Sequence, residues 1–159
     1  MRRLLIVLLG LAVLAPQASS APRPRDLWAT VNVCDTAAHP DAMGVRARMP
    51  GNGTRQRMYM RFRAFYFDEA TSRWSAVGGN ARSRWIHVGS ARVRHREAGY
   101  TFRFDPPMDG RRFIVRGVVD FRWRDTRIRR RARVNTKGGF ESTRGADPPG
   151  YTAGVCEIR

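Results

Sequence analysis

Apolar and polar residues alternate along most of this chain, and this alternation constrains its fold more than any other feature. The clearest segments are 43–49, 57–67 and 113–123, in which nearly every second residue is apolar. A period of two places successive side chains on opposite faces of a β-strand, and no stretch shows the 3.6-residue period of an amphipathic helix. The chain beyond its first residues is therefore predicted to be all-β.

Turn-forming residues separate the alternating segments at regular spacing. Pro50-Gly51-Asn52-Gly53 and Asp109-Gly110 are the strongest of these turn signals. About seven to nine short strands spaced in this way are typical of an antiparallel β-sandwich. The predicted strands cover residues 27–34, 43–49, 57–67, 73–77, 84–88, 100–105, 113–123, 127–134 and 151–158, with 91–96 as a further, less regular one.

Two segments resemble the late strands of immunoglobulin-like and fibronectin-III-like modules. They are Gly99-Tyr-Thr-Phe-Arg-Phe-Asp-Pro and, after a turn, Phe113-Ile-Val-Arg-Gly-Val-Val-Asp-Phe-Arg-Trp-Arg. The chain looks most like the secreted, single-domain, uncharacterised versions from high-GC bacteria, and the likeness covers about a third of its length. The resemblance implies an immunoglobulin-like β-sandwich that binds or spaces other molecules, and it brings no catalytic residues. The cysteines lie near the chain ends, which departs from antibody domains.

The first 21 residues have the three-part pattern of a cleavable export signal. Arg2 and Arg3 precede an apolar run over residues 4–15, and small residues follow as far as Ala21. A helix that spans a bilayer needs about 20 apolar residues, so this run is too short for a permanent anchor. We expect a signal-peptide helix over 1–21, cleaved after Ala21 or after Ser20. The product would be one secreted, extracytoplasmic domain over 22–159 without a transmembrane segment.

Cys34 and Cys156 are the only cysteines in the chain. In an oxidising compartment such a pair usually forms a disulfide. A metal site needs more ligands, a redox pair usually has CxxC spacing, and no cysteine-protease signature is present. We predict a Cys34–Cys156 disulfide that joins the first strand to the last, with Cα atoms within about 7 Å. It would bring both chain ends together at one edge and contribute about 5 kcal/mol on the chain-entropy model.

The polar residues form no recognisable catalytic, metal-binding or nucleic-acid-binding motif. His39, His87 and His95 have no neighbouring carboxylate pair, and no serine has a base nearby in sequence. Gly51-Asn52-Gly53 lacks the Lys-Ser/Thr of a phosphate-binding loop. We therefore expect a monomer with no catalytic residues, no metal, no cofactor and no specific nucleic-acid partner.

Arginine dominates the charge, which is +17, with 30 basic against 13 acidic residues and Lys137 the only lysine. A GC-rich genome explains why the cations are arginines, but not why they outnumber the acids. The arginines recur at every second position of strands, so neighbouring strands would present guanidinium groups about 7 Å apart on one face. The predicted anion-binding residues are Arg61, Arg63, Arg122, Arg124, Arg127, Arg129, Arg131 and Arg133.

Such a face would attract anionic surface polymers or lipid headgroups. The simpler alternative is that arginine fills outward strand positions, which must be polar, without binding a ligand. A second class of function also stays open. In this alternative the chain is a small secreted enzyme or enzyme inhibitor, with its site built from the loops 73–84 or 135–150.

Overall fold

A computed structural model describes residues 27–79, 81–140 and 144–159. The predicted signal peptide lies outside the described residues, as do Asn80 and the segment 141–143 of one predicted loop. The described residues form strands joined by turns, which confirms the all-β prediction. The strands are β1 Trp28–Thr36, β2 His39–Pro50, β3 Arg57–Asp68, β4 Arg73–Ala76, β5 Ile86–Ser90, β6 His95–Arg103, β7 Phe113–Arg124, β8 Ile128–Asn135 and β9 Cys156–Ile158.

The strands form two antiparallel sheets. Sheet A has the order β1-β2-β6. Sheet B has the order β4-β3-β7-β8, with β5 also paired to β3 and β9 also paired to β7. The long strand β3 lies inside sheet B, between β4 and β7, and its far end is apolar on both sides, as suits such a position. The adjacency of β3, β7 and β8, on which the predicted anion-binding face depends, is also confirmed. Among the described residues, no helix is long and apolar enough to cross a membrane.

One hydrophobic core lies between the sheets and is built by the alternation read from the sequence. Every second residue along the middle of β2, β3 and β7 is buried, and each large apolar side chain there contributes about 1.5–3 kcal/mol. The Trp123 indole is fully buried, and its N–H donates to the Pro50 carbonyl at 3.1 Å. These core residues are Met43, Val45, Ala47, Met49, Met58, Met60, Phe62, Ala64, Val115, Val119, Phe121 and Trp123.

Strand β6 differs from the prediction. The sequence predicted separate strands over 91–96 and 100–105, whereas one strand, His95–Arg103, pairs along its whole length with residues 42–50 of β2. Residues 91–94 instead form a turn that packs on Gly51, whose N–H donates to the Arg94 carbonyl at 2.8 Å. A Cβ at Gly51 would lie 1.8 Å from the Val93 oxygen, so only glycine permits this approach. The last predicted strand, 151–158, is shorter than expected, because only Cys156–Ile158 form β9.

The predicted Cys34–Cys156 disulfide is confirmed, with the two Cα atoms 5.4 Å apart. It joins β1 of sheet A to β9 of sheet B, and the Arg159 N–H donates to the Asp35 carboxylate beside it at 2.9 Å. The predicted meeting of both chain ends stays a prediction, because residues 22–26 lie outside the described residues. Cys34 itself lies near the end of β1. Trp28, at the beginning of β1, is six residues or roughly 20 Å away along the extended strand.

Candidate anion-binding face

The outer face of sheet B collects arginines from three neighbouring strands. Antiparallel pairing aligns Arg61, Asp120 and Arg133 in one row across β3, β7 and β8, and it aligns Tyr59, Arg122 and Arg131 in the next. Paired residues point to the same side of a sheet, so these side chains share one surface. We call this surface the arginine face, and its arginines are Arg61, Arg63, Arg122, Arg124, Arg131 and Arg133.

Asp120 is the one acidic residue among the outward positions of β7, and it contacts three arginines. Its carboxylate oxygens lie 3.0 Å from Arg61 Nη2 and 2.7 Å from Arg133 Nε. Arg63 Nε lies at 3.2 Å, within ion-pair distance but without hydrogen-bond alignment, while Arg63 Nη2 makes a 3.4 Å hydrogen bond. The Asp120 side chain is only 9% exposed. Burial by itself raises the pKa of Asp120, but hydrogen bonds from Arg133 and Arg61 outweigh burial and lower it.

Aromatic rings pack on two arginines of the face and on Arg116 beside it. The guanidinium carbons of Arg122 and Arg61 lie 3.6 and 4.6 Å from the centroid of the Trp85 ring. Arg116, on the same side of β7, lies 4.1 Å from the Trp74 ring. Guanidinium groups are weakly hydrated and stack well on aromatic rings, so these contacts let cations pack closely without a carboxylate between them.

Trp85 is held over the face by Ser83, a buried residue two positions earlier in the chain. The backbone N–H of Ser83 donates to the Phe62 carbonyl, and its hydroxyl accepts from the Phe62 N–H, both at 2.9 Å. These two bonds fasten the segment before β5 to the edge of β3. The segment 73–84, which the sequence offered as a possible enzyme site, therefore begins with strand β4 and is bonded to β3 again at Ser83.

Several cations of the face have no carboxylate partner. Among the described residues, no acidic group lies within ion-pair distance of Arg122, Arg124 or Arg131. Burial, followed by repulsion from Arg131, Arg61 and Arg124, lowers the pKa of Arg122. Its Nε atom is buried without a hydrogen-bond partner. The face therefore keeps an excess of positive charge that its own acids do not neutralise.

The turn before β8 corrects one predicted position. Arg127 was expected on the strand face with Arg129, but it lies in the turn 125–127 and β8 begins at Ile128. A register shift between Trp123 and Arg124 accommodates this turn. Asp125 accepts from the Arg127 backbone N–H at 3.0 Å and from Arg129 Nε at 2.6 Å. These two hydrogen bonds lower the pKa of Asp125 to about 2, and the one from the Arg127 backbone has the larger effect.

The structure places the eight predicted arginines in three settings. Six belong to the arginine face, Arg129 lies beside it on β8 in an ion pair, and Arg127 lies in the turn. Their role in binding stays a prediction. Sequence reasoning missed Arg116, although it lies on the same alternating positions of β7 as Arg122. It also missed the packing of Trp74 and Trp85 on the arginines, because no local pattern gives the register of their segments on β3.

The remaining polar candidates are dispersed. His87 packs against Tyr59 with ring centroids 5.1 Å apart, while His39 and His95 begin β2 and β6. Within 27–79, 81–140 and 144–159, no three His, Cys, Asp or Glu residues are grouped as metal ligands. In the described part of the loop 135–150, the Gly145 carbonyl accepts from Asn32 Nδ2 at 3.0 Å and Asp147 accepts from the Thr36 hydroxyl, so this loop is attached to β1.

Comparison with protein-family models, with curated proteins and with solved structures finds no match to this chain. The arguments about function therefore depend on the geometry and charge of its own residues.

Proposed function

We propose that this chain is a non-enzymatic, extracytoplasmic binding module whose arginine face holds anionic surface polymers. One observation carries the proposal. Three adjacent strands present six guanidinium groups on one surface, and the single buried carboxylate of Asp120 neutralises only part of their charge.

The arrangement suits a polymer better than a single small anion. Positive groups repeat about 7 Å apart along each strand and about 4.8 Å apart between strands, so the charge is spread over the sheet. A flexible chain of sulfate, phosphate or carboxylate groups can contact several of these cations at once and release its counterions. Arginine also makes bidentate contacts with such groups. The exposed arginines of β7 and β8 would make most of these contacts.

An immunoglobulin-like sandwich is part of the proposal, and the strand order supports it. If β1, β2 and β6 correspond to strands A, B and E, then β4, β3, β7 and β8 correspond to C′, C, F and G. The two sheets would then have the A-B-E and C′-C-F-G orders of such modules. The extra strands β5 and β9 extend sheet B.

Export is also proposed, and two features support it. The Cys34–Cys156 disulfide is the kind of bond that persists in oxidising compartments. The pattern over residues 1–21 is that of a cleavable signal.

The test is salt-dependent binding by residues 22–159 to heparin, to polyphosphate and to vesicles of anionic lipid. A variant with Arg124→Ser, Arg129→Ser and Arg131→Ser removes three exposed cations from or beside the face. We expect weaker binding of the polymers and a salt slope, log K against log salt, that is smaller by roughly two to three.

A control variant with Arg92→Ser, Arg94→Ser and Arg103→Ser loses the same charge from exposed positions elsewhere. It should keep most of the affinity. Equal losses in the two variants would show that net charge alone attracts the polymer. Binding to vesicles but not to either polymer would make lipid headgroups the partner.

A further inference from the structure

The hydrophobic space between the sheets is open at one end. The inward alternation of β3 and β7 continues beyond the core to Tyr66 and Phe113, yet these side chains are 39% and 41% exposed. Met108, in the connection between β6 and β7, is 71% exposed. Only one other large hydrophobic residue, Val155, is this exposed among the described residues. Three of the four therefore gather at one place.

These residues surround a cavity of about 400 Å³, which we call the end cleft. Its floor is Val115, which is buried, and its walls come from β3 and β7 of sheet B, from Val77 after β4 and from the connection between β6 and β7. The volume lies within the range of about 300–1,000 Å³ found for small-molecule sites. The apolar lining comprises Tyr66, Val77, Phe104, Met108, Phe113 and Val115.

The mouth of the cleft carries one cation and one anion, Arg111 and Asp105. Arg111 pairs with Asp109 at 3.7 Å, and the two side chains are 67% and 84% exposed. Such a long, solvated pair holds the guanidinium weakly, so a ligand carboxylate can replace Asp109. Asp105 disfavours a second negative charge at the same mouth.

We propose that the end cleft binds a small amphiphile with one apolar tail and a single carboxylate, such as a medium-chain fatty acid. The tail would cover Tyr66, Met108 and Phe113 and remove their apolar surface from water. The carboxylate would pair with Arg111. This site lies at one end of sheet B, on the side that faces the core, whereas the arginine face lies on the outside of sheet B, so the two inferences can fail separately.

The test is calorimetric titration of residues 22–159 with monomeric decanoate and with decanol. We expect saturable binding of one molecule, with decanoate preferred roughly two- to fivefold because an exposed ion pair contributes up to about 1 kcal/mol. Arg111→Gln should remove this preference and leave the affinity for decanol unchanged. Arg112→Gln, which changes a neighbouring arginine outside the lining, is the matched control and should behave like the original protein.

A second variant tests the apolar lining. Met108→Ser with Phe113→Ser changes two exposed side chains, so the fold should persist, and affinity for both ligands should fall at least tenfold. Unchanged affinity in this variant would overturn the proposal, as would binding that appears only with vesicles. The proposal would also be overturned if the arginine-face variant lost decanoate binding, since that would make decanoate a general counterion.

Discussion

At the scale of single residues, Asp120 is the acceptor that organises the arginine face. It lies between β3 and β8 in the sheet, and its two oxygens hold Arg61, Arg63 and Arg133. Without an anion in this position, three guanidinium groups would meet on one small surface. The stability of the face therefore depends on Asp120 being ionised.

Replacing Asp120→Asn should destabilise the protein by about 1–3 kcal/mol at neutral pH. Removing one partner of a fully buried pair costs about 3–5 kcal/mol, and the partial exposure of the arginines reduces that figure. Urea unfolding with and without the substitution measures the difference. Asp125→Asn, which changes an exposed carboxylate by the same charge, should have the smaller effect, and the reverse order would contradict this account.

The effect of Asp120→Asn on the stability of the protein should depend on pH. The pKa of Asp120 is lower in the folded than in the unfolded protein, although burial opposes the shift. Its stabilising contribution is therefore complete above the unfolded pKa of about 4 and is lost as the pH falls through the lower folded value. The stability difference between the original protein and Asp120→Asn should shrink below about pH 4.

At the scale of elements, β8 is an edge strand whose side chains protect it. Among the described residues, only β7 pairs with it, so its other edge presents free backbone groups. Exposed arginines occupy every second position, at Arg129, Arg131 and Arg133. Charged side chains on an edge discourage pairing with a second chain. The arginines of β8 can thus serve solubility as well as binding.

We expect Arg129→Val with Arg131→Val to cause self-association through β8. Valine favours strands, and the substitution removes the two charges that repel a second copy. Size-exclusion chromatography over a range of concentrations would detect the dimers or larger species. Arg129→Glu with Arg131→Glu keeps the edge charged and should remain monomeric. A monomeric valine variant would show that other features protect the edge.

At the scale of the whole molecule, the Cys34–Cys156 disulfide is the covalent link between the two sheets. The connections between β2 and β3, between β5 and β6 and between β6 and β7 also cross from one sheet to the other, but through the backbone alone. The disulfide instead fixes the short strand β9, which has only three residues, against β1.

Reduction of the disulfide should lower the free energy of unfolding by about 2–5 kcal/mol. The unfolded chain regains the freedom that a link across 122 positions removes. Urea unfolding with and without reductant measures the loss, and hydrogen exchange should increase first in β9. The variant Cys34→Ala with Cys156→Ala should match the reduced protein apart from the small cavity it leaves. Equal stability of oxidised and reduced protein would contradict the expectation.

Local pattern was sufficient to predict the strands and the core, because alternation acts within one segment. The alternate residues Met43, Val45, Ala47 and Met49 of β2 face inward as the sequence indicated, and so do the alternate residues from Met58 to Ala64 of β3. It was insufficient where distant segments meet. The merger of two predicted strands into β6 depends on pairing with β2. The position of Trp85 depends on Ser83 bonding to β3.

The candidate site was also predictable only in part. The arginine periodicity predicted which side chains share a face, but it could not predict that Trp74 and Trp85 pack on arginines. Tyr66 and Phe113 continue the inward pattern, so alternation predicts them to be buried. They are exposed because no described segment covers that end of the core. The end cleft is thus visible only when the packing of both sheets is known.

The disulfide also has a consequence for how the molecule withstands proteases. Its arginine-rich turns, such as 92–94 and 111–112, offer cleavage sites to enzymes that cut after basic residues. The Cys34–Cys156 bond encloses every residue from 35 to 155. One cut anywhere in this range leaves both pieces covalently attached through the disulfide. A nicked copy would therefore remain a single molecule until the disulfide is reduced.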